Sequence, residues 1–106
     1  MGEACEEFIR LIEAGDYYEA HEVLEEVWFP RRFERDDEIF LIKGFINASV
    51  AFELHRRGRI EPAKKTWQVY LKYRPILKKV EGSKNAPLYR RTDEILKRLH
   101  EDLFGA

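Results

Sequence analysis

Residues 37–57 read DEIFLIKGFINASVAFELHRR, and this stretch decides the fold. Ile39, Phe40, Leu41, Ile42, Phe45, Ile46, Val50, Phe52 and Leu54 would fall on every side of a helix of roughly 30 Å. A helix that is apolar all round must be enclosed by neighbours, so residues 37–57 are expected at the centre of an all-α protein. Gly44, Ala48 and Ala51 lie near one line along it and give a neighbouring helix room for close approach. Gly58 ends it.

Four further helices are expected around this one. On the N-terminal side, residues 3–14 place Phe8, Leu11 and Ile12 on one face, and Ala14-Gly15 closes the helix. Asp16 then stands as a cap with Glu19 three residues on, an Asp form of the capping box, and Pro30 stops this second helix near Trp28 or Phe29. The link PRRFERDD is polar and basic, as an exposed loop would be.

On the C-terminal side a fourth helix starts near Pro62, with Ala63, Trp67, Tyr70, Leu71 and Leu77 as its apolar stripe and a kink or break expected at Pro75. A fifth covers about 87–104. Gly15-Asp-Tyr-Tyr-Glu-Ala20 and Gly58-Arg-Ile-Glu-Pro-Ala63 form a weak internal repeat, each a glycine followed five residues later by an inward alanine. Short links make neighbouring helices antiparallel. The expected fold is therefore an up-and-down antiparallel bundle of about five helices in a single domain over residues 1–106.

Composition narrows the classes of function. No run of about 18 apolar residues exists, so no membrane span is expected. An acidic N-terminus without a basic segment is not a secretory leader, and a lone Cys5 excludes an internal disulfide and fits a reducing compartment. A cytoplasmic protein is the expectation. Charged residues make up 37% of the chain, with side-chain amides only at Asn47, Gln68 and Asn85, a thermophile-like composition. The net charge of −1 hides an asymmetry, because residues 1–28 hold nine acids and one base while the remainder holds 18 bases and 11 acids. Internal complementarity, an acidic hairpin docked on a basic body, is the first explanation. A basic surface for an anionic partner is the second.

Chemistry concentrates in the second helix. Residues 16–28, DYYEAHEVLEEVW, contain His21, Glu22 and Glu25 at the spacing HExxE, one residue type from the zinc-binding HExxH. On a helical wheel Tyr17, Ala20, Val23, Leu24, Val27 and Trp28 form the inner arc, and His21 and Glu25 lie at its edge. In residues 37–57 Lys43 and Asn47 share one stripe, one turn apart. A buried unpaired lysine is costly, and the dense carboxylates are in the second helix, so Lys43 is expected to reach Glu22 or Glu25 with His21 and Asn47 nearby. The candidate cluster is His21, Glu22, Glu25, Lys43, Asn47, Trp28 and Tyr17. A structural network that fixes helix register is the first expectation. A small pocket for a ligand or acid–base work is the alternative. A metal on His21 and Glu25 ranks last, since a third ligand is wanting and a lysine would repel the ion. No cofactor is implied.

Elsewhere, His55 and His100 are expected as cations near helix C-termini, and Trp28 and Trp67 as core anchors. Arg74 is expected to snorkel or to pair with Glu53, and Cys5 to be made unreactive by Glu3, Glu6 and Glu7. Clusters such as Arg31, Arg32 and Arg35, with Phe33, Tyr73 and Tyr89 as stacking faces, raise weak nucleic-acid binding. A pI near 6.3 and the absence of a recognised motif speak against it.

GDYYEAHEVLEEVW at 15–28 and FLIKGFINASVAFELH at 40–55, followed by a glycine and a second amphipathic helix, resemble the domain of unknown function 309 family of small helical proteins. The resemblance covers roughly residues 8–72, and its motif positions fall on His21, Glu22, Glu25, Trp28 and Gly44. It implies an all-α bundle and no established activity. Lys43 departs from the glutamine such proteins tend to carry before the glycine. The function expected is a protein-binding or self-associating module. The alternative is an enzyme or small-ligand-binding protein using the cluster.

Overall fold

The computed structural model describes residues 1–105 as five α-helices: α1 Gly2–Glu13, α2 Tyr17–Trp28, α3 Asp37–Arg56, α4 Ile60–Tyr73 and α5 Ala86–Phe104. Short 3-10 turns, Phe29–Arg31 and Arg74–Lys78, extend α2 and α4. No strand occurs among the described residues. The sequence pattern and the architecture agree: an all-α bundle with α3 at its centre, packed on α2, α4 and α5.

The two repeated glycines close two helices in the same way. Gly15 has φ +82° and Gly58 φ +79°, left-handed values that a side chain disfavours. Each sits in a Schellman turn: Gly15 N–H donates to the Ile12 carbonyl and Asp16 N–H to Leu11, while Gly58 N–H donates to His55 and Arg59 N–H to Leu54. Ala20 and Ala63 then donate back to Asp16 and Arg59 at 3.0 Å in both turns, and both alanines are fully buried. The weak sequence repeat is thus a repeated helix–turn–helix cap.

Asp16 does not complete a capping box. Its φ −89°, ψ 64° belong to the Schellman turn, and its carboxylate caps nothing. Asp36 holds the extended conformation that a cap requires and accepts from Glu38 N–H at 2.8 Å and from Ile39 N–H at 3.4 Å, so the well-capped helix is α3. At the other break, α4 ends at Tyr73 and the chain tightens into a 3-10 turn with Pro75 at its second position.

Cys5, Phe8, Ile12, Leu24, Leu41, Ile42, Phe45, Phe52, Tyr70 and Leu96 belong to the core. The small stripe on α3 sets the closest approach. A Cβ on Gly44 would lie 2.7 Å from Tyr73 Cβ and 3.4 Å from Tyr70 Cδ1, so α4 packs directly on the α3 backbone there. One stripe of α3 is not enclosed: Lys43, Asn47, Val50 and Leu54 are half-buried and open between helices. Leu71, assigned by its spacing to the apolar stripe of α4, is 37% exposed.

Candidate functional site

Each residue of α2 takes its place from the 3.6-residue period. Ala20 and Leu24 are fully buried, Tyr17 nearly so, and its ring lies 5.5 Å from that of Phe52 on α3. One step round, His21 and Glu25 stand one turn apart at the helix edge, with Nε2 of His21 3.1 Å from the Glu25 carboxylate. His21 Nδ1 lies 2.6 Å from the Tyr18 carbonyl, and its ring meets the Tyr18 ring edge-on at 5.0 Å. Both ring nitrogens therefore face acceptors within α2 itself. Glu22 and Glu26 are exposed.

The expected bond from Lys43 to this seam is absent. Among the described residues no ion pair joins Lys43 to Glu22 or Glu25. Its amine instead lies 5.6 Å from the centre of the Trp28 ring, a cation–π placement. The premise that failed is burial. Lys43 lies on the half-open stripe of α3 and keeps access to water, so no carboxylate is required to compensate it. Asn47 donates to the Lys43 carbonyl at 2.9 Å and stays within its own helix. The seven-residue cluster thus divides into Tyr17 against the core, His21–Glu25 along α2 with Glu22 in solvent, and Lys43–Trp28 beside Asn47. Trp28 is half-buried and borders this group where a core anchor was expected.

Polar networks that tie helices together lie elsewhere. Asp93, almost fully buried on α5, accepts from the Tyr70 hydroxyl at 2.5 Å and from Arg74 Nε at 2.8 Å and Nη2 at 3.0 Å. Arg74 therefore pairs with Asp93, not Glu53. Burial first, then the Asp93 charge, pushes the Tyr70 phenol far above its ordinary range. Glu38, at the start of α3, accepts from Ser83 Oγ at 2.8 Å and Tyr89 Oη at 2.6 Å. Glu53 is engaged by Arg56 and Arg57, and the hydrogen bond from Arg56 is the main cause that holds its carboxyl below the usual range. Among the described residues no buried side-chain nitrogen or oxygen lacks a partner.

Other placements differ from the sequence pattern. His100 is stacked on Trp67 at 4.2 Å and on Phe104 at 4.5 Å, and burial lowers its pKa, so it is no free cation at a helix end. His55 lies in the last turn of α3 as expected, with its ring 4.6 Å from Phe104. Burial pushes the Cys5 thiol up to about 12, with a lesser contribution from Glu38 and none from the neighbouring acids of α1. Tyr89 is fully buried and offers no stacking face, while Phe33 is 87% exposed.

Two depressions meet at Tyr18 and His21. The larger, about 480 Å³, is open and lined by Tyr18, His21, Glu22, Glu25, Glu26, Phe29 and Pro30. Every one of its walls comes from a single stretch of chain. The smaller, about 230 Å³, lies between α2 and α3 and is lined by Tyr17, Tyr18, His21, Val50, Glu53, Leu54 and Arg57. A site for a small substrate ordinarily encloses most of its ligand with walls from several elements; the larger depression is an open face of α2 and the turn after it, and the smaller is a half-open cleft between two helices. Among the described residues no three His, Cys, Asp or Glu side chains converge as metal ligands would.

Of the five large hydrophobic side chains left exposed among the described residues, Tyr18 at 48% and Phe29 at 52% line this face, and Phe33 at 87% follows the 3-10 turn, joined to Phe29 by the Arg32 guanidinium that lies over both rings. Sequence periodicity overlooked the first two because it asks what points inward. The missed signal was aromatic residues at positions that the inner arc of α2 does not use. Acids crowd the same face. Of the nine acids in residues 1–28, Glu13 alone forms an ion pair with the basic remainder among the described residues, with Arg98 at 3.9 Å. The α1–α2 hairpin docks on α3 through its apolar arc, and most of its acids stay exposed, so apolar packing and not ion pairing joins it to the basic remainder.

The family model described as Domain of unknown function (DUF309) matches residues 5–66, which spans α1, α2, α3 and the first half of α4. No curated protein and no solved structure matches the chain. No helix is long and apolar enough to cross a membrane among the described residues.

Proposed function

The chain belongs to the DUF309 family, and we propose that it is a protein-binding module whose docking surface is the outer face of α2 and the 3-10 turn that follows. The observation that carries this proposal is the coincidence of exposed Tyr18 and Phe29 with an open depression walled by one stretch of chain, with exposed Phe33 just beyond it. Aromatic side chains supply most of the energy at protein interfaces, since they bury large area at small entropic cost. Contiguous exposed apolar surface rimmed by charge marks an interaction site more often than a substrate site. In this account the HExxE element is the acidic rim of that surface. His21 is braced by the Tyr18 carbonyl and by Glu25, and it orients Tyr18.

In-cell photo-cross-linking tests this function. A benzophenone amino acid replaces Tyr18 or Phe33, and in a control replaces exposed Lys97 on α5. Protein adducts are expected at 18 and 33 and not at 97. Adducts absent from 18 and 33, or equally frequent at 97, overturn the proposal. So does a small molecule that copurifies with the wild-type chain in native mass spectra and is lost on His21→Ala.

A further inference from the structure

The smaller cleft adjoins the docking face and differs from it in kind. It opens between α2 and α3 beside Tyr18 and His21, with Val50 and Leu54 as an apolar floor and Tyr17, Glu53 and Arg57 around them. Its polar groups are only partly engaged. Tyr17 is 9% exposed, yet its hydroxyl makes no hydrogen bond among the described residues. No fully buried oxygen lacks a partner there, so this hydroxyl reaches the open space of the cleft. Glu53 is taken up by Arg56 and Arg57. Arg57 uses only Nε for that bond, so its two terminal nitrogens remain free to donate, and its side chain is 60% exposed. Two guanidiniums against one carboxylate leave this end of the cleft net positive. At about 230 Å³ the cleft is smaller than the roughly 300–1,000 Å³ of a site that encloses a whole small molecule. It has room for a single hydrophobic side chain with an anionic head group.

Resting on the docking function above, we infer that this cleft takes the C-terminal residue of the partner protein, with a hydrophobic side chain on the Val50–Leu54 floor and a free carboxylate on Arg57 and the Tyr17 hydroxyl. The guanidinium fork matches a carboxylate in shape and charge. A chain terminus is the one place where a polypeptide carries a hydrophobic side chain and a carboxylate on the same residue, and capture of that carboxylate is a recurring mode of peptide recognition. The tail before it runs past Tyr18 and His21 onto the larger depression, which shares both residues with the cleft. There Glu22 and Glu26 are exposed, and they complement basic side chains in the tail. From Tyr18 to Trp28 the helix rises about 15 Å at 1.5 Å per residue, the reach of about five extended residues at roughly 3.3 Å each. The partner is therefore a protein whose last residues, about six in all, are basic and end in a hydrophobic one.

Fluorescence anisotropy of the full chain with N-terminally labelled hexapeptides tests the inference. The reference peptide carries lysine at its second and fourth positions and ends in leucine with a free carboxylate. Its C-terminal amide, and a version ending in glycine, are each expected to bind about tenfold more weakly or worse, since one loses a charge-assisted contact and the other a buried aliphatic side chain. Arg57→Gln is expected to bind acid and amide alike, with a thermal melt near that of the wild type because Arg56 still holds Glu53. Tyr17→Phe keeps the ring against Phe52 and is expected to weaken the acid more than the amide. Equal binding of acid and amide by the wild-type chain overturns the inference, as does a preference for the acid that survives Arg57→Gln. So does isocaproate that displaces the labelled peptide as strongly as unlabelled peptide does, because the cleft would then be a site for small acids. If no peptide binds while cross-links from position 18 persist, the terminal-residue inference falls and the docking function stands. The absence of cross-links from both 18 and 33 would remove both.

Discussion

Asp93→Ala and His21→Ala separate the residue that holds the fold from the residue that edges the proposed surface. Asp93 is almost fully buried and accepts from Tyr70 and Arg74. Truncating it strands the fully buried Tyr70 hydroxyl, a loss of about 1–3 kcal/mol for an unsatisfied group. The Arg74 side chain is 37% exposed and recovers water, so its lost ion pair adds only about 0.5–1 kcal/mol. The expected cost is about 1.5–4 kcal/mol, which in a chain of this size lowers the thermal midpoint by about 6 °C or more. His21 instead makes a half-exposed pair with Glu25 and a bond within its own helix. The pair contributes about 0–1 kcal/mol, and alanine regains up to about 0.7 kcal/mol of helix propensity, so the net effect stays within about 1 kcal/mol. Urea denaturation at constant m-value measures both. Asp93→Asn keeps an acceptor for Tyr70 and should fall between them. If His21→Ala costs as much as Asp93→Ala, the HExxE seam is a structural network and the assignment of Asp93 as the main polar tie is wrong.

Two further outcomes follow from the packing. Gly44→Ala brings a Cβ to 2.7 Å from Tyr73 Cβ, and an atom fixed to the α4 backbone cannot swing aside; overpacking of about 1–3 kcal/mol should exceed the roughly 1 kcal/mol gained in helix propensity, and a thermal melt should show net destabilisation while Gly82→Ala, which meets nothing within 4 Å, does not. The pKa of His100 is lowered below 6.5 by burial, so the unfolded chain takes up a proton first as the pH falls; stability should decline below about pH 6.5, and His100→Phe, which keeps the stack on Trp67 and Phe104, should flatten that decline in urea titrations at pH 7 and pH 5.

The helices were legible in the sequence because burial has a period. The all-round apolar run at 39–54 is the central helix, and the two glycine turns close helices with left-handed geometry. The partners of polar side chains were not legible. Lys43 was assigned a carboxylate on the premise that a central helix is buried on every side, yet the stripe through Lys43, Asn47, Val50 and Leu54 is half-open. Arg74 found Asp93, and Glu38 found Tyr89 across 51 residues of chain. Such pairings depend on how helices turn against one another, which a wheel drawn for one helix does not contain. Net charge misled in a similar way. An acidic segment and a basic remainder suggested internal ion pairing, but the α1–α2 hairpin packs on α3 through its apolar arc and leaves most of its acids exposed.

The position of cross-links tests the docking face most directly. A benzophenone amino acid at Tyr18 or Phe29 is expected to give protein adducts in cells, and at exposed Lys72 on α4 or Lys97 on α5 to give none. Adducts at the α4 and α5 positions alone, or at none of the four, would contradict the account.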